Sequence, residues 1–175
     1  MTDRIEIEPL ARHPEALKPL AAAFRAEWPD WYGPDGPGDA AADLRADANE
    51  DGLPVGLVAL AGGRACGIAS LRAESIASHR HLSPWATAGW VDPALRGRGI
   101  GSRLVAGLEE RARALGFRRV HCATSTAETL LLRLGWRLDE RVLHDGVRLG
   151  IWSKGLAGTP RPAGGTGRGG GAQLQ

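Results

Sequence analysis

Residues Val91–Leu104 read VDPALRGRGIGSRL. Glycine recurs at every second position, Gly97, Gly99 and Gly101, and an amphipathic pattern begins at once. Glycine in a helix costs about 1 kcal/mol relative to alanine, so three at a helix start need a reason. Amides at a helix N-terminus lack intrahelical partners and sit at the positive end of the helix dipole, which suits an anion. Glycines permit the positive φ of an anion nest and let a bulky phosphate reach the main chain. Arg96, Arg98 and Arg103 add positive charge around it. The segment reads as a phosphate cradle that opens a helix. The plainer alternative, a tight strand-to-helix turn without a ligand, needs neither the third glycine nor the arginines.

Two common phosphate motifs do not fit. The nucleoside-triphosphate loop G-x-x-x-x-G-K-[ST] requires a lysine that is absent here. The dinucleotide motif G-x-G-x-x-G would place its third glycine at Ser102, and it belongs in a first βαβ unit, whereas this segment follows several strands.

Downstream, Ile100, Leu104, Leu108, Ala112 and Leu115 step by four or three and mark the buried face of a helix over about 99–115. Glu109 and Arg113 stand at i,i+4 and are expected to pair on its outer side. Gly116 is a natural stop. Phe117–Thr124 reads as a strand and Ser125–Gly135 as a short helix capped by Ser125 or Thr126. Trp136–Lys154 reads as a hairpin turned at Asp145-Gly146. Upstream, Pro84–Val91 reads as a strand, and Leu53–Glu74 as a hairpin about Gly62-Gly63. Asp39–Asp51 and His13–Trp28 read as helices, Pro29–Asp39 as a loop and Arg4–Leu10 as a strand. The order β-α-α-β-β-β-α-β-α-β-β predicts an α/β (α+β) fold, a mixed central sheet flanked by helices.

The chain has 175 residues, 43% hydrophobic and 24% charged, which suits one soluble domain with a real core. Cys66 and Cys122 make no metal spacing and read as buried thiols of a reducing compartment. No signal peptide or apolar run of spanning length is visible, so the expected location is cytoplasmic, with no membrane partner. Residues 1–63 hold five Arg/Lys against twelve Asp/Glu, and residues 64–175 hold seventeen against eight. A small molecule with an anionic and a cationic end fits that asymmetry, as does ordinary surface charge. Residues 1–154 read as the domain and Gly155–Gln175, rich in glycine and proline, as a disordered tail. Without the tail's Arg161 and Arg168 the formal charge of +2 falls to zero, so a nucleic-acid partner is not expected.

The pattern R-x-x-G-x-G at Arg96, Gly99 and Gly101 follows Val91-Asp92-Pro93 and precedes a matched helix, a strand and a short helix ending Leu134-Gly135-Trp136. In this the chain resembles the GNAT superfamily of acetyl-CoA-dependent N-acetyltransferases, closely over Trp85–Leu138. The resemblance implies a mostly antiparallel sheet with a bulged fourth strand that splays from the fifth. It implies acetyl-CoA as cosubstrate, no metal, direct acetyl transfer to a primary amine and often a homodimer. Amides of Arg96, Gly97, Arg98, Gly99, Ile100, Gly101 and Ser102 would hold the coenzyme pyrophosphate, and the main chain of Trp90 and Val91 the pantetheine arm. Trp85 and Trp90 also fit as plain core residues.

Two positions depart from the family. Its usual general-acid tyrosine, four residues before the glycine of the L-G-F motif, is Leu131 here, and the strand ATAGWV carries no acid. Candidate proton-transfer groups are Glu74, His79, His81 and Tyr32, the only tyrosine. Each also fits a bland role as strand end, surface loop or packing. Glu27, Trp28, Asp30 and Trp31, with Tyr32 and Asp35, are candidates for an aromatic and acidic acceptor pocket, which suits a small cationic amine. The alternative acceptor is a peptide N-terminus. His13–Pro29 and Gly107–Thr124 faintly resemble acetyltransferases of actin N-termini, although acidic loops would repel such peptides. A weakly catalytic acyl-CoA-binding domain is the third reading.

Overall fold

The computed structural model describes residues 3–157, so most of the expected tail, 158–175, lies outside the described residues. The strands are β1 (Ile5–Pro9), β2 (Val55–Ala61), β3 (Arg64–Arg72), β4 (Trp85–Val91), β5 (Arg119–Thr124), β6 (Arg137–His144) and β7 (Val147–Gly155). The helices are α1 (Leu17–Glu27), α2 (Pro29–Tyr32), α3 (Ala40–Asp47), α4 (Ile100–Ala114) and α5 (Glu128–Arg133). The seven strands form one sheet in the order β1-β2-β3-β4-β5-β7-β6. Every neighbouring pair is antiparallel except β4 with β5. The chain passes from β5 to the outer strand β6 and returns as β7 between them.

The expected order of elements holds, with one addition. The segment Pro29–Asp39, expected as a loop, begins with the helical turn α2. Proline presets its φ for a first helical position, and the amides of Trp31 and Tyr32 both bond Trp28 O, at 3.1 and 2.8 Å. Gly155 belongs to β7 and Leu156 is buried, its amide bonded to Arg118 O at 2.8 Å.

Each face of the sheet carries a core. Ile100, Leu104, Leu108 and Ala112 of α4 pack with Leu57, Ala59 and Leu71, and Leu131 of α5 and Trp136 join them. A second cluster sets Leu20, Ala21 and Phe24 of α1 and Leu44 of α3 on Val58, Leu60 and Ile68. Each fully buried leucine or isoleucine stabilises the fold by on the order of 2 kcal/mol. A third cluster holds Ile76, Trp85 and Ile151, with Leu82 and Ala123 against it.

Two local expectations are corrected. Glu109 does not pair with Arg113 on the outer face of α4. It is buried, accepts from Trp136 Nε1 at 2.9 Å and pairs with Lys154 at 3.0 Å. Arg113 pairs instead with Glu110. The register of α4 turns Glu109 toward the start of β6 and the end of β7, where a lysine and an indole N–H meet it. The residue that holds the entry to α5 is Thr124 rather than Ser125 or Thr126, for its Oγ1 accepts from the amides of Thr126 and Ala127 at 3.1 and 3.0 Å.

Candidate active site

The parallel strands β4 and β5 share a single register pair, Trp85 with His121, sealed by the His121 amide on Pro84 O at 3.0 Å. Among the described residues no further pair joins them, so a wedge opens between them toward Val91. Its cause lies in β4. Ile68 pairs with Trp90 and Ser70 with Thr87, so β4 spends three residues where β3 spends two. The extra residue falls in Ala88-Gly89, and such a bulge bends and twists its strand. The bulged fourth strand expected from the resemblance is present.

Beyond the bulge, the Asp92 amide bonds Cys66 O at 2.8 Å, on the β3 side. Strand alternation therefore turns the N–H and C=O of Val91 toward the wedge. Val91 O accepts from Arg96 Nε at 3.0 Å. Asp92 Oδ1 caps the short turn Pro93–Leu95 by accepting from the Ala94 amide at 3.0 Å, and the chain then enters the glycine segment.

Gly97 has φ 77° and Gly99 has φ 79°, the left-handed region that costs an L-residue about 1–2 kcal/mol. Gly99 is the N-cap of α4, and no side chain caps it. The first helical bond runs from the Arg103 amide to Gly99 O at 3.1 Å. The amides of Ile100, Gly101 and Ser102 thus lack intrahelical acceptors. The first turn of α4 carries no acidic residue, and a Cβ at Gly97 or Gly99 would meet nothing within 4 Å. An open, unpaired set of amides at the positive end of a 15-residue helix can hold a dianion. Arg96 and Arg98 are exposed beside it. Arg103 points elsewhere, its Nη1 donating to Ile5 O on β1 at 2.8 Å.

The acceptor-side candidates divide. Glu27, the last residue of α1, pairs with Arg96 Nη2 at 3.2 and 3.3 Å. Trp28 is half-buried, its ring 5.0 Å from Phe24 and 6.3 Å from Tyr32, and Trp90 packs on the same cluster. Trp31 is 53% exposed and Asp30 is exposed beside it. Tyr32 donates to Asp43 Oδ2 at 2.7 Å, and burial, then Asp43, push its phenol up to about 12. Glu74 stands in solvent near Arg80, at 3.6 Å. His81 is exposed and stacks on His79, ring centres 5.7 Å apart. His79 is buried between Ser78 and Glu140 of β6.

Leu131 is buried in the core at 1% exposure, so no titratable group stands where the family's tyrosine would. Cys66 is buried, Cys122 partly so, and burial pushes the Cys122 thiol up to about 12. Three polar features escaped sequence reasoning. Asp47, fully buried, accepts from Ser70 Oγ at 2.8 Å and takes the Arg72 fork at 3.1 and 2.8 Å. Thr87 Oγ1, just before the bulge, is buried without a partner. Glu140 holds His79. Only the strand parity of Ser70 and Arg72 hinted at the first of these.

A gap between β4 and β5 beside open amides at a helix start is the arrangement that the resemblance to acetyl-CoA-dependent acyltransferases implies. Residues 20–136 match the model of the Acetyltransferase (GNAT) family, and the chain belongs to that family. Its fold is shared by an aminoglycoside 6'-N-acetyltransferase solved with coenzyme A, at TM-score 0.71, 15% identity and coverage of 89% of this chain and 99% of that one. The NAA60 of Arabidopsis thaliana, solved with a bisubstrate analogue, matches at TM-score 0.66 and 16% identity over 89% and 100% of the two chains. In sequence, N-alpha-acetyltransferase 80 of Mus musculus is 52% identical over 48 residues, 27% of this chain and 15% of that protein. This chain is similar to that relative only over that small part of its length.

Proposed function

We propose that this chain moves acetyl from acetyl-CoA to a primary amine, and that the acceptor is a small cationic amine. The observation that carries the first part is the cradle of Arg96–Ser102 beside the β4–β5 wedge. Two positive-φ glycines and unpaired amides meet a diphosphate, and the main chain of Val91 borders the slot for the pantetheine arm, while the N–H and C=O of Trp90 face Ile68 of β3. The amine nitrogen attacks the thioester carbonyl, the C–S bond breaks, and the thiolate leaves with a proton. An ammonium must first lose a proton. Water, with His81 or Glu74 of the exposed β3–β4 loop, serves that step, and proximity supplies most of the acceleration. Tyr32 acts in packing, since its hydroxyl already serves Asp43.

The acceptor class rests on charge. Asp30 and Asp35 stand exposed near Trp31 with no lysine or arginine between Ala26 and Leu44, whereas Glu27 is paired with Arg96, Asp39 caps α3 and Asp43 accepts from Tyr32. Acid and aromatic groups together suit a cation. A peptide N-terminus is the second reading, favoured by the short stretch of high identity to N-alpha-acetyltransferase 80.

Thermal unfolding with and without acetyl-CoA, followed by thiol release over polyamines, aminoglycosides and N-terminal peptides, tests all of this. A ligand of the native state raises the midpoint. Turnover with polyamines or aminoglycosides supports the cationic acceptor, and turnover with acidic-start peptides overturns it. A raised midpoint without turnover on any of these amines favours a binding domain. An unchanged midpoint at saturating acetyl-CoA defeats the reading.

A further inference from the structure

The geometry points to Glu27 as a positioning residue that couples the coenzyme cradle to the acceptor wall through Arg96, rather than as an acceptor ligand. The inference rests on the coenzyme reading above.

Arg96 opens the glycine segment, and its guanidinium makes two attachments. Nε donates to Val91 O at the end of β4, 3.0 Å away, and Nη2 straddles the Glu27 carboxylate at 3.2 and 3.3 Å. Among the described residues Nη1 takes no protein partner, so its two N–H donors remain on the side chain that borders the cradle. Glu27 is the last residue of α1, and Trp28 and α2 follow it directly. α2 is a single turn held by few bonds, chiefly the amides of Trp31, Tyr32 and Gly33 onto Trp28 O and Pro29 O. One side chain therefore spans the end of β4, the coenzyme loop and the root of the acceptor wall.

The Arg96 and Glu27 side chains are 49% and 35% exposed. An exposed pair that must also order two long side chains adds little by itself. A diphosphate seated on the neighbouring amides changes this. It fixes the guanidinium through Nη1, so the entropy of ordering Arg96 is already spent when Glu27 binds it. Coenzyme binding then steadies α1's end and α2, and by linkage an ordered wall strengthens coenzyme binding. Glu27, engaged with Arg96, has its charge turned away from an acceptor, which leaves Asp30 and Trp31 as the exposed recognition groups.

The test is hydrogen exchange of the full chain with and without saturating coenzyme A, in wild type, Glu27→Ala and Arg96→Ala. Glu27→Ala is decisive because it leaves every residue of the cradle in place. In wild type, coenzyme A is expected to slow exchange at 97–102 and, about fivefold or more, at 31–33, the low end of ordinary coupling. In Glu27→Ala the protection at 97–102 persists and that at 31–33 is lost. Arg96→Ala, at its own saturating coenzyme concentration, also loses protection at 31–33. Protection at 31–33 that survives in Glu27→Ala, or that is missing in wild type while 97–102 is protected, overturns the coupling alone. No protection in either segment of the wild type overturns the coupling and the coenzyme reading together.

Discussion

Gly99→Glu separates the anion cradle from a mere turn, provided that Gly99→Ala is measured beside it. Both variants force an L-residue into φ 79°, at about 1–2 kcal/mol of stability. A Cβ there meets nothing within 4 Å, so alanine fits without a clash and the glutamate side chain starts from an open position. The two should therefore unfold at nearly the same midpoint, and any further difference between them is electrostatic. A glutamate carboxylate about 5 Å from a diphosphate carrying two charges is repelled by about 1.7 kcal/mol even at the dielectric of water. That is about a 15-fold weaker affinity than in Gly99→Ala, and more where the site is partly dry. Calorimetric titration with coenzyme A gives both constants, and raising the salt should narrow the gap between them. Equal coenzyme affinity in the two variants would refute the placement of the diphosphate at this helix start.

Lys154→Ala strips Glu109 of its ammonium partner and Leu134 O of its 2.6 Å donor. It should destabilise by about 3 kcal/mol and lower the melting midpoint by about 10 °C, with much of this regained in Glu109→Gln/Lys154→Met, as thermal unfolding will read. Tyr32→Phe should lose about 1 kcal/mol of stability through Asp43 yet keep kcat near wild type; a loss of about 100-fold in kcat would restore the phenol as the general acid. His121 is 5% exposed, and burial lowers its pKa below 6.5. The unfolded chain therefore binds the proton more readily, so the contribution of His121 is present above pH 6.5 and is lost as pH falls toward the folded value. Urea titrations from pH 7.5 down to 5 should show this slope reduced in His121→Gln.

The fold was legible where periodicity and punctuation agree. The four-and-three steps of Ile100, Leu104, Leu108 and Ala112 gave α4, and Gly62-Gly63 and Asp145-Gly146 gave both hairpins. Gly97 and Gly99 marked the left-handed entry to α4 because φ near 80° is a local demand that residue type reveals. What stayed hidden was set by partners far along the chain. Glu109 carries a perfect helical spacing to Arg113, yet Trp136 and Lys154 claim it from elements 27 and 45 residues away. An i,i+4 pair on a helix surface is worth about 0.3–0.5 kcal/mol, which a buried ion pair with an indole donor readily outweighs.

The same reasoning bears on the acceptor side. Composition suggested one acidic pocket built from Glu27, Asp30 and Asp35, because equal residue types look equal in a sequence. In the fold they are unequal. Glu27 is claimed by Arg96, 69 residues away, and Asp43 and Asp47 by Tyr32 and Arg72. Each of these carboxylates is neutralised or engaged before an acceptor arrives. Asp30 and Asp35, which lack such a partner among the described residues, are exposed on the 30–35 tip with Trp31, so under the proposed cationic acceptor it is this tip rather than Glu27 that would meet the cation. An acceptor that places its reactive amine in the wedge and a second positive group some way outside it would satisfy both ends. Asp30→Asn should then raise KM for a diamine, with kcat held, more than for a monoamine of the same length. Equal effects on the two would remove the tip from the account of specificity.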